Sequence, residues 1–479
     1  PKPERALLAT FTNDRIDRAG PKTISATVAQ HIQATPDAPA IIVGDKVITY
    51  EQLDRRVAQL GRVLCKEFGL AAGMRVAVAL ERGPETPIAW LAIMRAGGVY
   101  VPIDPDFPAE RTAFMVKDSN CAMVLTGAAH LQTLRATLDD VAVHDIRSLA
   151  AAGAIEPVHD DRMVDESAYV IYTSGSTGLP KGVAVGHLGV LNVAAHMGEL
   201  YPIGLGDRVV FFASPSFDAS IWEMCIALCH GAALVIADQA TVADPGRFGA
   251  FLRHHGCTVT ILPPSYVRLL ELEDLSALKL LATGGEATDT VTAARLSGRL
   301  LYANLYGPTE TSIMVTSQVV SPRTRYTRSV PIGAPIPNVE ALVLDQENRP
   351  VPVGAPGELC IAGVNVALGY LNRPELNAER FPPHPMDDGQ RMYRTGDIVR
   401  WLDDGTLELV GRVDDQVKVR GHRVELGEVQ AALLSCPGVL QAAVTADQSP
   451  ERTGELSAYI VSRADLSSAE IRKYLQRTL

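Results

Sequence analysis

A chain of 479 residues exceeds what a single core usually holds, so its length predicts two or more domains. With 47% hydrophobic and 21% charged residues, it has the composition of a folded globular protein and not of a disordered one. The formal net charge of −11, without a cluster of basic residues, argues against a nucleic-acid-binding surface. The chain has no apolar run of membrane-spanning length and no signal-peptide core, so we expect a cytoplasmic protein without a membrane partner.

From about residue 25 onwards, helical and strand patterns alternate along the chain. Helices are predicted at 25–33, with Ser25 as the N-cap, and at 51–68, where leucines and valines form one apolar stripe. The next predicted elements are a strand at 75–80, a helix at 86–98, a strand at 99–103, a helix at 108–118 and a strand at 122–126. After residue 183 the pattern resumes with strands at 208–214, 232–238 and 258–264 and a helix at 221–231. This alternation implies parallel sheets covered by helices on both faces.

The last third of the chain changes character twice. Between about 330 and 411 short strands and turns dominate, which predicts a β-rich subdomain. After Asp414 the patterns are those of a small α+β domain, with a hairpin at 416–425, a helix at 427–435, two strands and a helix at 467–477. We therefore predict an α/β fold. A large core (25–413), made of two parallel-rich α/β subdomains and the β-rich subdomain, precedes a small C-terminal domain (414–479).

The segment YTSGSTGLPKG, which begins at Tyr172, has the residues of a phosphate-binding loop. Its three glycines let the backbone approach a ligand closely, and its Ser and Thr hydroxyls and Lys181 offer hydrogen bonds and charge to a polyphosphate. The loop follows an apolar strand-like stretch, and ligands of open α/β sheets bind at such strand ends. It is not a Walker A loop, because no Gly-Lys-Ser/Thr stands at the required spacing. A flexible linker is the alternative, and the flanking strand argues against it.

Three further segments contain residue types suited to a nucleotide. In NLYGPTE, Tyr306 can stack on a base, Asn304 can read its edge and Glu310 can bind Mg²⁺ through oxygen. In YRTGD, Asp397 follows a tight turn and can accept hydrogen bonds from two ribose hydroxyls. In GRVDDQVKVRG, Arg412 can reach phosphate or ribose. Each segment also has an ordinary alternative, namely a Gly-Pro turn, a solvated surface aspartate and a solvated charged hairpin.

The ordered set of these motifs resembles the adenylate-forming superfamily, which includes acyl-CoA synthetases and luciferases. Within that superfamily the chain resembles the adenylation domains of nonribosomal peptide synthetases. The resemblance also rests on TYEQL, RAGGVYVPID, FDAS and GELCIAG, which begin at positions 49, 95, 217 and 357. It covers essentially the whole chain. The resemblance implies an ATP-dependent, AMP-forming ligase that activates amino acids.

The resemblance further implies a role for each motif residue. The phosphate loop would comprise Thr173, Ser174, Gly175, Ser176, Thr177, Gly178 and Lys181. The other nucleotide contacts would come from Asn304, Tyr306, Gly307, Thr309, Asp397 and Arg412, with Glu310 holding the metal. The predicted catalytic residues are Thr173, Lys181, Glu310 and Arg412. Asp414 would be the hinge about which the small domain turns, and Gly421 would line a pantetheine tunnel.

By the same resemblance an amino-acid pocket is lined by Asp218, Ala219, Trp222, Ile261, Ala282, Gly284, Leu305, Ile313 and Met314. Asp218 is the only charged residue of this set, and its natural partner is the α-ammonium of the substrate. A charged substrate side chain would lie unpaired among apolar groups, at a cost of several kcal/mol. Ala282 and Gly284 leave volume, so we expect a bulky, uncharged, apolar side chain, either aliphatic or aromatic.

The resemblance implies cofactors and partners as well. ATP and Mg²⁺ would support formation of an aminoacyl adenylate. A second half-reaction would then pass the acyl group to the phosphopantetheine thiol of a peptidyl carrier protein. Within residues 1–24, positions 4–11 resemble the linker that follows a condensation domain. We therefore expect an upstream condensation domain and a larger synthetase of which this chain is one piece. An MbtH-like protein is a further candidate partner.

Two features depart from the family pattern. Asn365 and Leu368 stand where the family usually has Gly and Arg, which we interpret as minor. The closing Asn-Gly-Lys motif is absent, so the chain as given is expected to bind ATP and amino acid but to adenylate poorly, unless Lys418 replaces the missing lysine. Two other functions stay open. An acyl-CoA or aryl-acid carrier-protein ligase would not need Asp218, and a catalytically silent binding module would not need the intact Lys181.

Overall fold

The computed structural model describes residues 8, 10–11, 15–149, 167–175, 179–324, 326, 329–414, 416–419, 422–446, 455–463 and 466–479. Four of the predicted site residues, Ser176, Thr177, Gly178 and Gly421, lie outside this described part of the chain. Within it, the predicted alternation of helices and strands is confirmed, and the fold belongs to the α/β class. Across the same ranges, no helix is long and apolar enough to cross a membrane.

The N-terminal 319 residues contain the alternating helices and strands. In chain order these are α1 (Ile24–Ala34), β1 (Pro39–Val43), β2 (Lys46–Thr49), α2 (Tyr50–Lys66), β3 (Arg75–Ala79), α3 (Glu85–Arg95), β4 (Val99–Pro102), α4 (Ala109–Asp118), β5 (Cys121–Thr126), α5 (Leu131–Thr137), β6 (Ala142–Asp145), α6 (Ile146–Leu149), β7 (Ser167–Thr173), β8 (Lys181–Gly186), α7 (His187–Leu200), β9 (Arg208–Phe211), α8 (Asp218–Leu228), β10 (Ala233–Ile236), α9 (Gln239–Val242), α10 (Pro245–His254), β11 (Val259–Leu262), α11 (Pro264–Val267), β12 (Leu280–Thr283), α12 (Thr290–Leu296), β13 (Leu301–Tyr306) and β14 (Thr316–Val319). Two short 3₁₀ helices add to these, at Leu272–Leu275 and Thr309–Thr311.

The remaining elements are mostly strands until the last two helices. They are β15 (Ala334–Pro335), β16 (Val339–Leu344), β17 (Gly357–Gly363), β18 (Gly369–Tyr370), α13 (Pro374–Arg380), β19 (Pro383–His384), β20 (Asp387–Trp401), β21 (Leu407–Arg412), β22 (Gln416–Val419), β23 (His422–Glu425), α14 (Leu426–Leu434), β24 (Val439–Ala446), β25 (Leu456–Ser462) and α15 (Ser468–Thr478).

Two large, mostly parallel sheets carry the functional loops. One has the strand order β18-β8-β7-β4-β3-β5-β6, and the other has the order β15-β14-β13-β12-β11-β9-β10-β1-β2. A single hydrophobic core joins both sheets to α1, α2, α3, α7 and α8. Strands β9, β11, β12 and β13 run parallel, so their carboxyl ends open on one edge, where α/β proteins bind ligands.

The other sheets are smaller and antiparallel. β16, β17, β20 and β19 form a β-rich layer, with β21 paired to β20. This pairing sets Asp397 directly opposite Arg412. β22 and β23 form a separate two-stranded hairpin, and β24 pairs with β25. The predicted hairpin at 416–425 is therefore confirmed.

The N-termini of helices α1 and α2 show where local sequence patterns predict the N-cap correctly and where they do not. The N-cap predicted for the first helix is wrong, because Thr23 and not Ser25 accepts the hydrogen bond from the N–H of Ala26. Ser25 lies buried inside the first turn. Helix α2 starts after Thr49, whose hydroxyl and Gln52 form a reciprocal capping box. Its predicted apolar stripe is buried.

Candidate active site

The predicted phosphate loop connects two antiparallel strands at one end of the seven-stranded sheet. Thr173 at the end of β7 pairs with Lys181 at the start of β8. A Cβ atom on Gly175 would lie 2.1 Å from the carbonyl oxygen of Leu179, so the turn requires glycine there. The hydroxyl of Thr173 is buried and has no hydrogen-bond partner among the described residues. A buried, unpaired donor at a strand end is typical of a site that a polar ligand completes.

Glu310 stands at the centre of a buried charge cluster. Its side chain is fully buried, Oε1 accepts a hydrogen bond from the Tyr370 hydroxyl (2.8 Å), and Oε2 accepts one from Nη1 of Arg423 (2.7 Å). Lys181 Nζ lies 3.6 Å from Oε1. Burial alone would raise the pKa of Glu310, but the positive charges of Arg423 and Lys181 outweigh it and lower that pKa to about 2. The carboxylate is therefore ionised, and it interacts with two cationic side chains.

The residues predicted for the adenosine form a second cluster. The Tyr306 hydroxyl donates to Oδ2 of Asp397, and Arg412 donates from Nη1 to Oδ1 of the same carboxylate at 2.6 Å. Arg412 also pairs through Nε and Nη2 with Asp414, the predicted hinge, at 2.6 and 2.9 Å. Asn304 is buried. Its Oδ1 accepts from a threonine hydroxyl, and its Nδ2 donates to a main-chain carbonyl of the loop that follows β14.

The predicted amino-acid pocket lies at the carboxyl edge of the nine-stranded sheet. Asp218 begins α8, Ala219 and Trp222 lie on the same helix, and Ile261 pairs with Ala282 across β11 and β12. Gly284 lies close to its neighbours, since a Cβ there would approach the carbonyl oxygen of Leu305 to 3.2 Å. Ile261, Ala282, Gly284 and Leu305 therefore lie close together, and their role in lining a pocket stays a prediction.

Asp218 has an unusual electrostatic environment for a carboxyl group. Burial raises the pKa of Asp218 to about 6, and the hydrogen bond from the hydroxyl of Thr309 and the charge of Lys418 oppose that rise in part. The negative charge of Glu310 adds to it. A carboxylate held in this way gains from a cationic partner, because the partner replaces the water that burial removed.

The segment 312–314, which contains the predicted lining residues Ile313 and Met314, has a strained backbone. Ser312 and Ile313 have φ angles of +55° and +77°. Such angles are rare outside glycine and rarer still for a β-branched residue such as Ile313. Gly307 permits the close packing of this turn, because a Cβ there would lie 2.4 Å from Cα of Met314. Strained backbone of this kind persists only where surrounding contacts hold it.

The hairpin β22–β23 covers the site. The Ser174 hydroxyl donates to the main-chain carbonyl of Arg423 at 2.9 Å, and Lys418 Nζ lies 5.6 Å from the centroid of the Tyr306 ring. Farther along, Arg111 of α4 pairs with Glu428 of α14 at 2.9 Å. The sequence reasoning missed Arg423 and its role opposite Glu310. Arg423 lies two residues beyond the charge-dense segment GRVDDQVKVRG that contains Arg412, so that motif did not single it out.

These features define a class of protein. A glycine-rich loop with a lysine, a buried carboxylate beside it and an aspartate–arginine pair around a tyrosine make up the site of an adenylate-forming enzyme. The model of the AMP-binding enzyme family matches residues 28–371. The chain therefore belongs to the AMP-binding enzyme family.

Its relatives narrow the assignment. Bacitracin synthase 3 of Bacillus licheniformis is 40% identical over 482 residues, which cover 99% of this chain and 7% of that protein. Tyrocidine synthase 1 of Brevibacillus parabrevis is 38% identical over 96% of this chain and 42% of that protein. The chain thus spans less than half the length of these relatives.

Solved structures agree with the relatives. The artificially fused adenylation-PCP di-domain NpsA-ThdA from Klebsiella oxytoca matches with a TM-score of 0.86 and 26% identity, over 96% of this chain and 85% of that one. A four-domain nonribosomal peptide synthetase, solved with AMP and glycine, matches with a TM-score of 0.75 and 29% identity, over 98% of this chain and 35% of that one. The chain is an amino-acid-adenylating, AMP-forming ligase of the nonribosomal peptide synthetase type.

Proposed function

We propose that the chain activates an α-amino acid with a bulky apolar side chain as its aminoacyl adenylate. The observation that carries the proposal is Asp218, a partly buried carboxylate at the edge of a pocket whose other predicted lining residues are uncharged. The α-ammonium of an amino acid would form an ion pair with that carboxylate, whereas a fatty or aryl acid would leave it without a cationic partner. The acyl-CoA or aryl-acid ligase is therefore the weaker candidate.

ATP fits the loop and the clusters beside it. The hydroxyl of Thr173, which has no hydrogen-bond partner among the described residues, and the ammonium of Lys181 suit the anionic phosphates that the loop is predicted to bind. Asp397 offers carboxylate oxygens to ribose hydroxyls. Glu310 would hold Mg²⁺, which supplies charge neutralisation at the phosphates. Its two oxygens are engaged by Arg423 and Tyr370 in this arrangement, so we propose that the hairpin withdraws before the metal binds.

The chemistry requires no side-chain nucleophile. The substrate carboxylate attacks the α-phosphate, the bond to the β-phosphate breaks, and pyrophosphate leaves with the electron pair. Attack by one anion on another is slow in water because like charges repel. Lys181 would lower that repulsion, and the loop and Asp218 would hold the two substrates in line.

The observed position of the hairpin suits the second half-reaction. With Arg423 on Glu310 and Ser174 on the carbonyl of Arg423, the C-terminal residues close over the loop where pyrophosphate would otherwise sit. We propose that residues 414–479 turn as a unit on the core 25–413. Asp414 would be the hinge, locked here by Arg412.

By the family resemblance, Gly421, which lies outside the described residues, would line the path of a phosphopantetheine arm from a peptidyl carrier protein. The thiol of the arm attacks the acyl carbon of the adenylate, and AMP leaves. An upstream condensation domain, whose linker residues 1–24 would supply, and an MbtH-like protein complete the proposed partners.

The test compares the pyrophosphate exchange stimulated by each of twenty amino acids and by a set of aryl and fatty acids. Because the chain as given is expected to adenylate poorly, the readout is the ranking of the substrates and not the absolute rate. Exchange stimulated most by a leucine-like or aromatic amino acid supports the proposal. A best substrate that is glutamate, lysine or glycine would contradict the pocket assignment, and stimulation by acids without an α-amino group would favour the acyl or aryl ligase. The matched control is Asp218→Asn, which removes the charge at constant shape and should abolish the preference for amino acids over their deamino analogues.

A further inference from the structure

A chain of three asparagine side chains crosses the core behind the amino-acid pocket. Asn338 precedes β16, Asn192 lies on α7, and Asn365 follows β17. Asn365 is fully buried and Asn192 is 4% exposed. Burying a carboxamide costs free energy unless its donors and acceptors are hydrogen-bonded. The role of these three asparagines therefore depends on their hydrogen-bond partners.

The hydrogen bonds of the three asparagines run from the surface to the predicted pocket wall. Asn338 accepts from the N–H of Ile16 (2.8 Å), and its Nδ2 donates to Oδ1 of Asn192 (3.1 Å). Asn192 Nδ2 donates to Oδ1 of Asn365 (2.9 Å), and Asn365 Nδ2 donates to the main-chain carbonyl of Met314 (3.0 Å). Each amide orientation follows from its neighbour, because swapping O and N at one position would place two acceptors or two donors face to face.

The inner end of this chain holds the strained turn. The side chain of Asn365 bonds Met314, and its main-chain carbonyl accepts a hydrogen bond from the hydroxyl of Ser312 at 2.7 Å. Helix α7 presses against the same place, since a Cβ on Gly189 would lie 2.2 Å from the Ser312 hydroxyl and 3.1 Å from Cα of Asn365. Asn365 thus bonds both ends of the segment that keeps Ile313 at a positive φ.

We propose that Asn365, oriented by Asn192, is a positioning residue that fixes the Ile313–Met314 wall of the amino-acid pocket and thereby sets side-chain selectivity. The inference rests on the proposed function, because it assigns that wall to the substrate side chain. Asn365 itself touches neither substrate. It acts by holding backbone that would otherwise relax towards ordinary φ values, and a relaxed wall gives a pocket of less defined shape.

The experiment measures dissociation constants of aminoacyl sulfamoyl adenosines, which are stable mimics of the adenylate, by calorimetry. Because all these mimics share one nucleotide, the ratio of two constants reports the side-chain pocket alone. The pair chosen is the one that the unaltered chain discriminates most among the leucyl, isoleucyl, valyl and phenylalanyl mimics. The variants are Asn365→Gly, which restores the residue usual in the family, and Asn192→Ala, one step farther from the pocket.

We expect Asn365→Gly to move that ratio about fivefold towards one, the effect of losing one buried hydrogen bond. Asn192→Ala should move it in the same direction by less, and serves if the first variant does not fold. The control is Thr126→Val, which deletes a buried hydroxyl bonded to the main-chain carbonyl of Ala79 (2.8 Å) in the other sheet. It should lower stability comparably and leave the ratio unchanged.

The outcomes separate the inference from the proposed function. If the unaltered chain binds no mimic more tightly than sulfamoyl adenosine without an aminoacyl group, the proposed function fails. If the unaltered chain discriminates among the mimics but Asn365→Gly keeps the same ratio, the positioning role is refuted and the proposed function stands. An equal shift in Thr126→Val would show that general loss of stability, and not the asparagine chain, relaxes the wall.

Discussion

Lowering the pH from 7 to 5 should weaken binding of the substrate amino acid by about tenfold. Burial raises the pKa of Asp218 to about 6, so the free site is mostly ionised at pH 7 and mostly protonated at pH 5. With that pKa, the ionised fraction falls from about 0.9 to about 0.1. The α-ammonium binds the ionised form, and it does not itself titrate in this range. Affinity is therefore fully present above the pKa and is lost as the pH falls through about 6.

The assay is calorimetric titration of the preferred amino acid at several pH values, with the deamino analogue of the same side chain as the matched ligand. The groups that interact with Asp218 include the hydroxyl of Thr309, the carboxylate of Glu310, the main-chain N–H of Ala219, the ammonium of Lys418 and the buried hydroxyl of Tyr169. Glu310, with a pKa of about 2, stays ionised throughout the range.

Two controls isolate the effect. Asp218→Asn should bind the amino acid weakly at every pH, with the pH dependence removed. The deamino analogue should bind the unaltered chain without a tenfold loss between pH 7 and 5. An amino-acid affinity that is flat across this range, or that falls equally for the deamino analogue, would refute the assignment of Asp218 to the α-ammonium.

Three further predictions concern the nucleotide half of the site. Asp397→Ala should weaken ATP binding about 10- to 100-fold, since a charge-assisted hydrogen bond to ribose is lost. Calorimetry checks this, and an unchanged affinity would contradict the ribose role. Glu310→Gln should raise the Mg²⁺ concentration that gives half-maximal pyrophosphate exchange, and an unaltered Mg²⁺ curve would remove Glu310 from the metal site. Arg423→Ala should lower that concentration about tenfold, because no guanidinium then competes for the carboxylate. This variant should also slow transfer of the acyl group to a pantetheine thiol. If neither the Mg²⁺ concentration nor the transfer rate changes, the proposal that Glu310 exchanges Arg423 for Mg²⁺ is contradicted.

Much of the fold follows from local patterns. Helix α2 was predicted at 51–68 and spans Tyr50–Lys66, because its apolar stripe has helical period and its capping box is local. The phosphate loop was predicted to follow an apolar strand, and it does follow β7. The cap at Ser25 failed because two hydroxyl residues stand two positions apart, and tertiary packing and not propensity selects Thr23.

Contacts between residues far apart in the sequence could not be predicted from local sequence patterns. Arg423 meets Glu310 across 113 residues, and the pair exists only because the hairpin folds back over the loop. Sequence marks Arg423 as one charge among several, with nothing to show which of them becomes buried. The same holds for Tyr370, whose hydroxyl reaches Glu310 from the next strand of the loop's own sheet.

The two departures from the family pattern show why a substitution must be judged by its surroundings. Leu368 is 43% exposed, and what the fold uses there is the main chain, whose N–H donates to the carbonyl of Ala184 at 2.8 Å. Every residue except proline can make that bond, which favours the interpretation of this departure as minor. Asn365, three residues earlier, is fully buried, and its carboxamide is bonded on both sides. A glycine at that position removes the donor to the Met314 carbonyl and one acceptor of Asn192, whose Nδ2 keeps its bond to the carbonyl of Pro337 at 2.7 Å. The interpretation of Asn365 as minor stays a prediction, and these hydrogen bonds weigh against it. Under the proposed positioning role, the wall of the predicted pocket depends on a residue that the family pattern does not have.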